Sequence, residues 1–183
     1  SITAINNHAF MYCRTIKSIT LGSEVKTIGD YAFNNCTGVE TVSISSDVIS
    51  IGKCAFLNCS KITNVKLPET IESIGEKAFY NCSGLKSITI PSSVKNIDFA
   101  AFSGNSSLEH ILCVGTEEEW KSTTIGSSNT PITSTTTHFA DTDGYTSTPP
   151  TCINDGCISY KCPVCSYEMG NTIYTPATGH TEV

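Results

Sequence analysis

Basic side chains are scarce in this chain. Eleven Lys and Arg stand against seventeen Asp and Glu, for a net charge of −6 and a pI of about 5.1. That balance excludes the basic footprint of a nucleic-acid binder. No apolar run approaches the roughly 20 residues that a helix needs to cross a bilayer. There is no glycine-rich phosphate loop, no nucleophile elbow and no paired-carboxylate arrangement. The four histidines, His8, His110, His138 and His180, are scattered. Catalysis needs converging groups, so no enzyme is expected. A signal peptide is also missing, and Ser1 opens partway through a repeat unit, with Ile2 and Ile5 in the columns of Val25 and Ile28. The expectation is a mature or trimmed piece of a longer chain.

What is present is a period. The dipeptide Ala-Phe falls at 9–10, 32–33, 55–56, 78–79 and 101–102, always at the same 23-residue spacing. Ile-Gly precedes it at 28–29, 51–52 and 74–75, and decays to Ile97-Asp98. Cysteine follows at 13, 36, 59 and 82 and gives way to Asn105. Apolar columns continue at 16, 39, 62, 85 and 108, at 19, 42, 65, 88 and 111, and at 21, 44, 67, 90 and 113. Self-similarity at a fixed period in the twenties marks a stacked solenoid. One unit reads L-x-x-I-x-I-P-x-x-V-x-x-I-G-x-x-A-F-x-x-C-x-x.

The columns assign local structure. L-x-x-I-x-I alternates as a short strand does, and Pro68 and Pro91 end it because proline donates no ladder bond. V-x-x-I-G is a second extended piece whose glycine suits unusual backbone angles. A-F-x-x-C reads as a short helical or 3₁₀ turn. A single unit cannot bury these columns, whereas stacked units can, so the phenylalanines are expected to form an interior stack. Cys13, Cys36, Cys59 and Cys82 then share one column. Buried reduced thiols fit it, since free cysteine behaves as a small hydrophobe. Disulfides up the column are the alternative, disfavoured by the parallel direction of the side chains. Asn105 fits a site where a side chain satisfies loop backbone groups.

The fold class expected is therefore a β-rich solenoid of about five 23-residue coils over residues 1–114. A C-terminal cap and Ser/Thr-rich segment follows over 115–140, and a small irregular or β tail module over 141–183. The first of these carries nine basic and nine acidic residues; the last two together carry two basic and eight acidic. Thr116-Glu117-Glu118-Glu119 is a capping box starting a helix through about Lys121, with Trp120 placed to cover the end of the stack. Residues 122–137, eleven of sixteen being Ser or Thr, read as linker, with a terminal strand near 132–139 as the alternative.

The unit resembles the BspA-type, Treponema-like leucine-rich repeat of bacterial surface and secreted proteins, whose phrase A-F-x-x-C-x-x-L-x-x-I-x-I-P it carries. The segment "VGTEEEWKSTTIGSSNTPITSTTTHF" is similar to one that closes such arrays in Firmicutes proteins. The tail resembles a small Cys-containing module, T-C-x-x-D-G-Y…C-x-x-C-G…I-P-A-T-G-H, except that Cys157 stands for its aromatic and Ser166 for its glycine. The resemblance implies an extracellular, cell-surface or secreted location and adhesion to host proteins or to other cells.

Candidate sites are few. Cys162-Pro163-Val164-Cys165 has zinc-knuckle spacing, and Cys152 and His180 complete a Cys₃His set. A structural zinc, a disulfide and free thiols stay open as readings. For the solenoid no cofactor is expected. The triplets at Asn35, Asn58, Asn81 and Asn105 match the glycosylation signal but recur only because the repeat does. Asp141-Thr142-Asp143-Gly144 is half a calcium loop, and the segment 175–179 brushes against a sortase signal without its leucine. The strand residues pointing out of the concave face, Thr41, Ser43, Asn64, Lys66, Ser87, Thr89 and His110, form a hydroxyl-rich ribbon with little charge and no Trp, Tyr or Arg anchor. The expected function is an adhesin-like interaction module binding a host or bacterial surface protein or glycan through this ribbon. The alternative is a passive spacer or stalk presenting another domain. The chain is expected to be a monomer with no membrane span.

Overall fold

The computed structural model describes residues 1–139 and, beyond them, the backbone of the strands Thr146–Thr148, Gly156–Lys161 and Glu168–Thr175. Residues 1–139 wind into six coils. Each coil gives one short strand to each of two parallel ladders.

The first ladder is built from the Ile-Gly segments. Its strands are Ala4–Ile5, Thr27–Ile28, Ser50–Ile51, Ser73–Ile74, Asn96–Ile97 and Thr124–Ile125, stacked in sequence order. Through the first five coils the register repeats the 23-residue period, as in Ile28↔Ile51↔Ile74↔Ile97. The second ladder carries Ser18–Thr20 and Thr41–Ser43 as one pair, and Asn64–Lys66, Ser87–Pro91, His110–Val114 and Thr137–Phe139 as a separate four-stranded sheet. The core between the ladders is filled by the periodic columns. Phe33, Phe56, Phe79 and Phe102 are at most 3% exposed, and the five rings from Phe10 to Phe102 stack at centroid distances of 5.2, 5.3, 5.1 and 5.4 Å. That spacing is close to the ~4.8 Å rise between paired strands.

The Ala-Phe segment is not helical. Its amides alternate between two kinds of acceptor. In coil 1, Ala9, Met11 and Cys13 donate three residues back within the coil, while His8, Phe10 and Tyr12 donate to Asp30, Ala32 and Asn34 of the next coil, at 2.8 Å each. Two residues per coil sit in the left-handed region to make this alternation possible. They are the columns His8, Tyr31, Cys54, Lys77, Ala100 and Tyr12, Asn35, Asn58, Asn81, Gly104, with φ between 54° and 79°. Through coils 1 to 4 every donor that leaves a local helix finds a partner one coil on, and this offsets the cost of the left-handed residues.

The Ile-Gly glycines serve a different purpose from the one read in the sequence. Gly29, Gly52 and Gly75 do not have positive φ. They are glycine because a Cβ would meet the preceding coil at 2.5–2.9 Å, Gly52 against Asp30 and Gly29, Gly75 against Gly52 and Ile51. Close backbone approach, not turn geometry, excludes a side chain.

The capping box forms as read. Thr116 Oγ1 accepts from the Glu119 amide (3.1 Å) and Glu119 Oε2 from the Thr116 amide (2.8 Å), opening a helix over Glu117–Ser122. Trp120 packs against the core with Ile90 and Cys113 beside it. The segment read as linker, with a terminal strand near 132–139 as the alternative, is a sixth coil that ends in such a strand. Thr124–Ile125 extends the first ladder and Thr137–Phe139 the second. Between them lies a short helix, Thr130–Ser134, whose Ile132 is 1% exposed. The Asn129 side chain stands in for missing main-chain groups, accepting from the Phe102 amide (2.9 Å) and donating to the Asp98 and Gly126 carbonyls (2.8 Å each). The three later strands form an antiparallel sheet within the segment read as a tail module.

Candidate functional site

The cysteine column is a ladder of thiols. Cys36, Cys59 and Cys82 donate to the carbonyls of Phe10, Phe33 and Phe56, each 26 residues back, at 3.1, 3.2 and 3.1 Å. All six cysteines among the described residues are free thiols. Burial pushes Cys36 up to about 11 and Cys82 and Cys113 up to about 12, and Cys59 further up still, so these are packing groups rather than nucleophiles. Asn105 departs from its expected role. It is 2% exposed, and neither its Oδ1 nor its Nδ2 has a hydrogen-bond partner. The glycosylation triplets are held by structure. Asn58 Nδ2 donates to Asn35 Oδ1 (3.0 Å) and Asn81 Nδ2 to Asn58 Oδ1 (2.8 Å), an amide ladder along one left-handed column.

The outward residues of the second ladder line up as read. Thr41 sits beside Ser18, and Asn64 beside Ser87 and then His110. Ser43 sits beside Thr20, and Lys66 beside Thr89. Their exposure is uneven. Thr41, Ser43, Asn64 and Lys66 are exposed, His110 is half-buried, and Ser87 and Thr89 are only 7% exposed. Ser87 and Thr89 are short side chains flanked one coil away by Asn64 and His110, and by Lys66 and Leu112, and the Ser87 hydroxyl donates to Asn64 Oδ1 (2.5 Å). The open part of the ribbon is therefore confined to the early coils.

That open part coincides with an interruption in the ladder. At neighbouring coil junctions two main-chain bonds flank the strands. Glu40 donates to Lys17 and Leu21 to Ser43; Lys86 donates to Thr63 and Leu67 to Thr89. The equivalent bonds from Thr63 to Glu40 and from Ile44 to Lys66 are absent, and Thr41–Ser43 and Asn64–Lys66 belong to different sheets. The other side of the same junction stays closed, through Thr27–Ile28 paired with Ser50–Ile51 and through the Phe33 and Asn35 amides bonded to Ala55 and Leu57. Thr70 Oγ1 bridges the two coils at the foot of the opening, donating toward the Ser46 and Val48 carbonyls (2.6 and 2.8 Å). A cleft of about 610 Å³ results, lined by Val42, Ile44 and Pro68 below and by Ser43, Lys66 and Glu69 at its rim. Partial burial raises the Glu69 carboxyl pKa, with Lys66 opposing.

His110 and His138 are brought together, which the sequence reading missed. Their Nδ1 and Nε2 atoms lie 3.2 Å apart. Burial, then the second ring, lowers the His110 pKa. The two stand 28 residues apart, outside the 23-residue register, so no column search pairs them. No group of three or more potential metal ligands occurs among the described residues. Cys152, Cys162, Cys165 and His180, the zinc or disulfide candidates, lie outside the described residues, as do the 141–144 motif and the 175–179 motif beyond Thr175, while Cys157 lies on the strand Gly156–Lys161, described by its backbone alone. No described helix is long and apolar enough to cross a membrane.

Comparison with known proteins gives a consistent picture. A leucine-rich cell surface protein from Faecalibacterium prausnitzii A2-165 superposes with a TM-score of 0.64 at 32% identity, covering 66% of this chain and 32% of that one. A leucine-rich repeat protein from Bacteroides ovatus matches with a TM-score of 0.51 at 28% identity, over 61% of this chain and 35% of the other. The chain thus spans about a third of the length of these two. The leucine-rich repeat protein of T. pallidum shares the fold, with a TM-score of 0.50 at 23% identity over 68% of this chain and 67% of that one. Among curated proteins none matches. The profile of the BspA type leucine rich repeat region matches residues 1–135 in six copies, the number of coils in the fold, and the chain belongs to this family.

Proposed function

We propose that the chain is an adhesin-like binding module of a cell-surface or secreted protein, engaging a host or bacterial surface protein or a glycan through the outer face of the second ladder. Leucine-rich repeat solenoids are protein-interaction scaffolds, and the F. prausnitzii neighbour is described as a cell surface protein. The observation that carries the reading is the coincidence of Thr41, Ser43, Asn64 and Lys66, all exposed, with the cleft where the ladder opens. Hydroxyls and an amide offer donors and acceptors to sugars or to a peptide backbone. Val42, Ile44 and Pro68 supply an apolar floor, and Lys66 is the one charge in the outward columns. Ser87, Thr89 and His110 extend the ribbon beyond the cleft as its less accessible part.

The test is binding of the full chain to a panel of immobilised extracellular-matrix proteins and mucin glycans. A Lys66→Glu, Ser43→Trp double variant reverses the rim charge and fills the cleft at exposed positions, where substitutions alter stability by under about 0.5 kcal/mol. Attachment lost with unchanged melting supports the site. Attachment retained places binding elsewhere on the molecule. A wild-type chain that attaches to nothing on the panel favours the passive spacer.

A further inference from the structure

The first coil presents a face with a complete set of unused bonding groups. Each coil donates to the one before it through fixed positions. In coil 2 these are the amides of Lys26, Gly29 and Glu40, bonded to the carbonyls of Thr3, Ile5 and Lys17, the Asp30 amide, bonded to Asn7 Oδ1, and the Cys36 thiol, bonded to Phe10. The carbonyls of Asp30, Ala32, Asn34 and Ser43 accept in return from His8, Phe10, Tyr12 and Leu21. Moved back one period, the same positions are the amides of Thr3, Asn6, Lys17 and Asn7, the Cys13 thiol, and the carbonyls of Asn7, Ala9, Met11 and Thr20. None of these nine groups has a hydrogen-bond partner among the described residues. The apolar columns end open at the same place. Phe10 is 42% exposed where the four rings behind it are buried, and Ile2 is 69% exposed. Ile2, Ile5, Phe10, Ile16, Ile19 and Leu21 line an apolar cavity of about 600 Å³.

We infer that this face is a docking surface for one further 23-residue coil of the same pattern, stacked in parallel register. The argument is continuity with the interface that forms at the other coil junctions of the array. The incoming coil must bring a phenylalanine whose ring stacks on Phe10 and whose carbonyl accepts from Cys13. It must bring an apolar residue over Ile5, and an Asn or Asp directly after its glycine to receive the Asn7 amide, as Asn7 and Asp30 do for Asp30 and Lys53. A second copy of this chain does not meet these terms. A two-fold contact runs the strands antiparallel and breaks the register, and the sixth coil at the far end departs from the 23-residue spacing and brings Asn129 to the Phe102 amide. This inference is independent of the adhesin reading, which concerns the outer face of coils 2 and 3.

The experiment adds a copy of residues 24–46, which carries Gly29-Asp30, directly before Ser1 of the full chain and so keeps the 23-residue register. Hydrogen exchange at the Thr3, Asn6, Asn7 and Lys17 amides is then followed beside the thermal midpoint. Docking slows exchange at these amides at least about tenfold and raises the midpoint. Changing Phe33→Asp and Ile28→Asp in the added copy alone abolishes both effects and leaves the original array folded. Unchanged exchange at the four amides overturns the inference, and so does protection that survives the two aspartates or that comes with dimerisation.

Discussion

Replacing Asn105 by cysteine should stabilise the array. The thiol column runs through coils 1 to 4, and at coil 5 an asparagine occupies it, 2% exposed and with both polar atoms unpartnered. A buried, unsatisfied polar group costs about 1–3 kcal/mol. A cysteine at this position repeats the geometry of Cys36, Cys59 and Cys82, whose thiols reach the Phe carbonyl 26 residues back at 3.1–3.2 Å; for residue 105 that carbonyl belongs to Phe79. The two side chains are similar in size, so little void or strain is added. The expected gain is about 1–2 kcal/mol, which for a chain of this length raises the melting temperature by roughly 3–6 °C. Urea unfolding under reducing conditions measures it. The midpoint should rise while the slope, which follows the surface exposed on unfolding, stays fixed. Asn105→Ala should fall between the two, since it removes the unpaired amide but leaves a cavity. If Asn105→Cys unfolds at lower urea than the parent, the amide is satisfied after all and the thiol ladder is not the preferred occupant of the column.

Other outcomes follow from the same core. Phe56→Ala should cost about 3–5 kcal/mol, and Phe10→Ala much less because its ring is 42% exposed; equal losses in denaturant titrations would show that the rings do not stack as a column. Strong reductant should leave the melting temperature of residues 1–139 unchanged, as the thiols are free; a marked drop would reveal disulfides within the array. Alkali should destabilise the fold. Cys36 at about 11, and Cys82 and Cys113 at about 12, stay protonated when folded but ionise near the ordinary thiol value when unfolded. Their folded values are raised, so their contribution is intact below about pH 8.5–9 and is lost as pH rises toward 11–12, by up to about 1.4 kcal/mol per thiol and pH unit. Denaturant midpoints that stay flat from pH 8.5 to 10.5 would contradict this.

The sequence discloses whatever keeps the 23-residue period and conceals whatever does not. The phenylalanine stack and the buried thiols follow from columns alone, because stacked identical coils bring identical positions together. The sixth coil is hidden because its Ile125-Gly126 comes too late after Ile97-Asp98 to keep the register, and Ser and Thr fill most of its length. Asn129 replaces the main-chain groups that the lost register removes. The His110–His138 pair is concealed by the same shift. The glycine column is visible, but its cause is not, since a required absence of Cβ looks the same in sequence whether it serves a left-handed angle or a close neighbour. The ladder opening between coils 2 and 3 has only a faint trace, with Ser45 in coil 2 where coils 3 and 4 carry Pro68 and Pro91. Ser45 bonds to coil 1, its hydroxyl donating to the Ser23 carbonyl (3.2 Å).

The opening between coils 2 and 3 also sets how the molecule yields to force. Under tension a stack of coils tears at its weakest seam rather than along its whole length. At this seam the Ile-Gly side is intact while the opposite side lacks its ladder bonds and keeps the Thr70 bridge, so the two halves hinge like a book about its spine. Pulled from its ends, the array should part here first, freeing coils 1 and 2 as a unit while coils 3 to 6 remain folded. Each such event lengthens the tether by about the same increment and leaves the rest to refasten when the load drops. A single seam of this kind turns a rigid rod into a shock absorber with one defined stage of give.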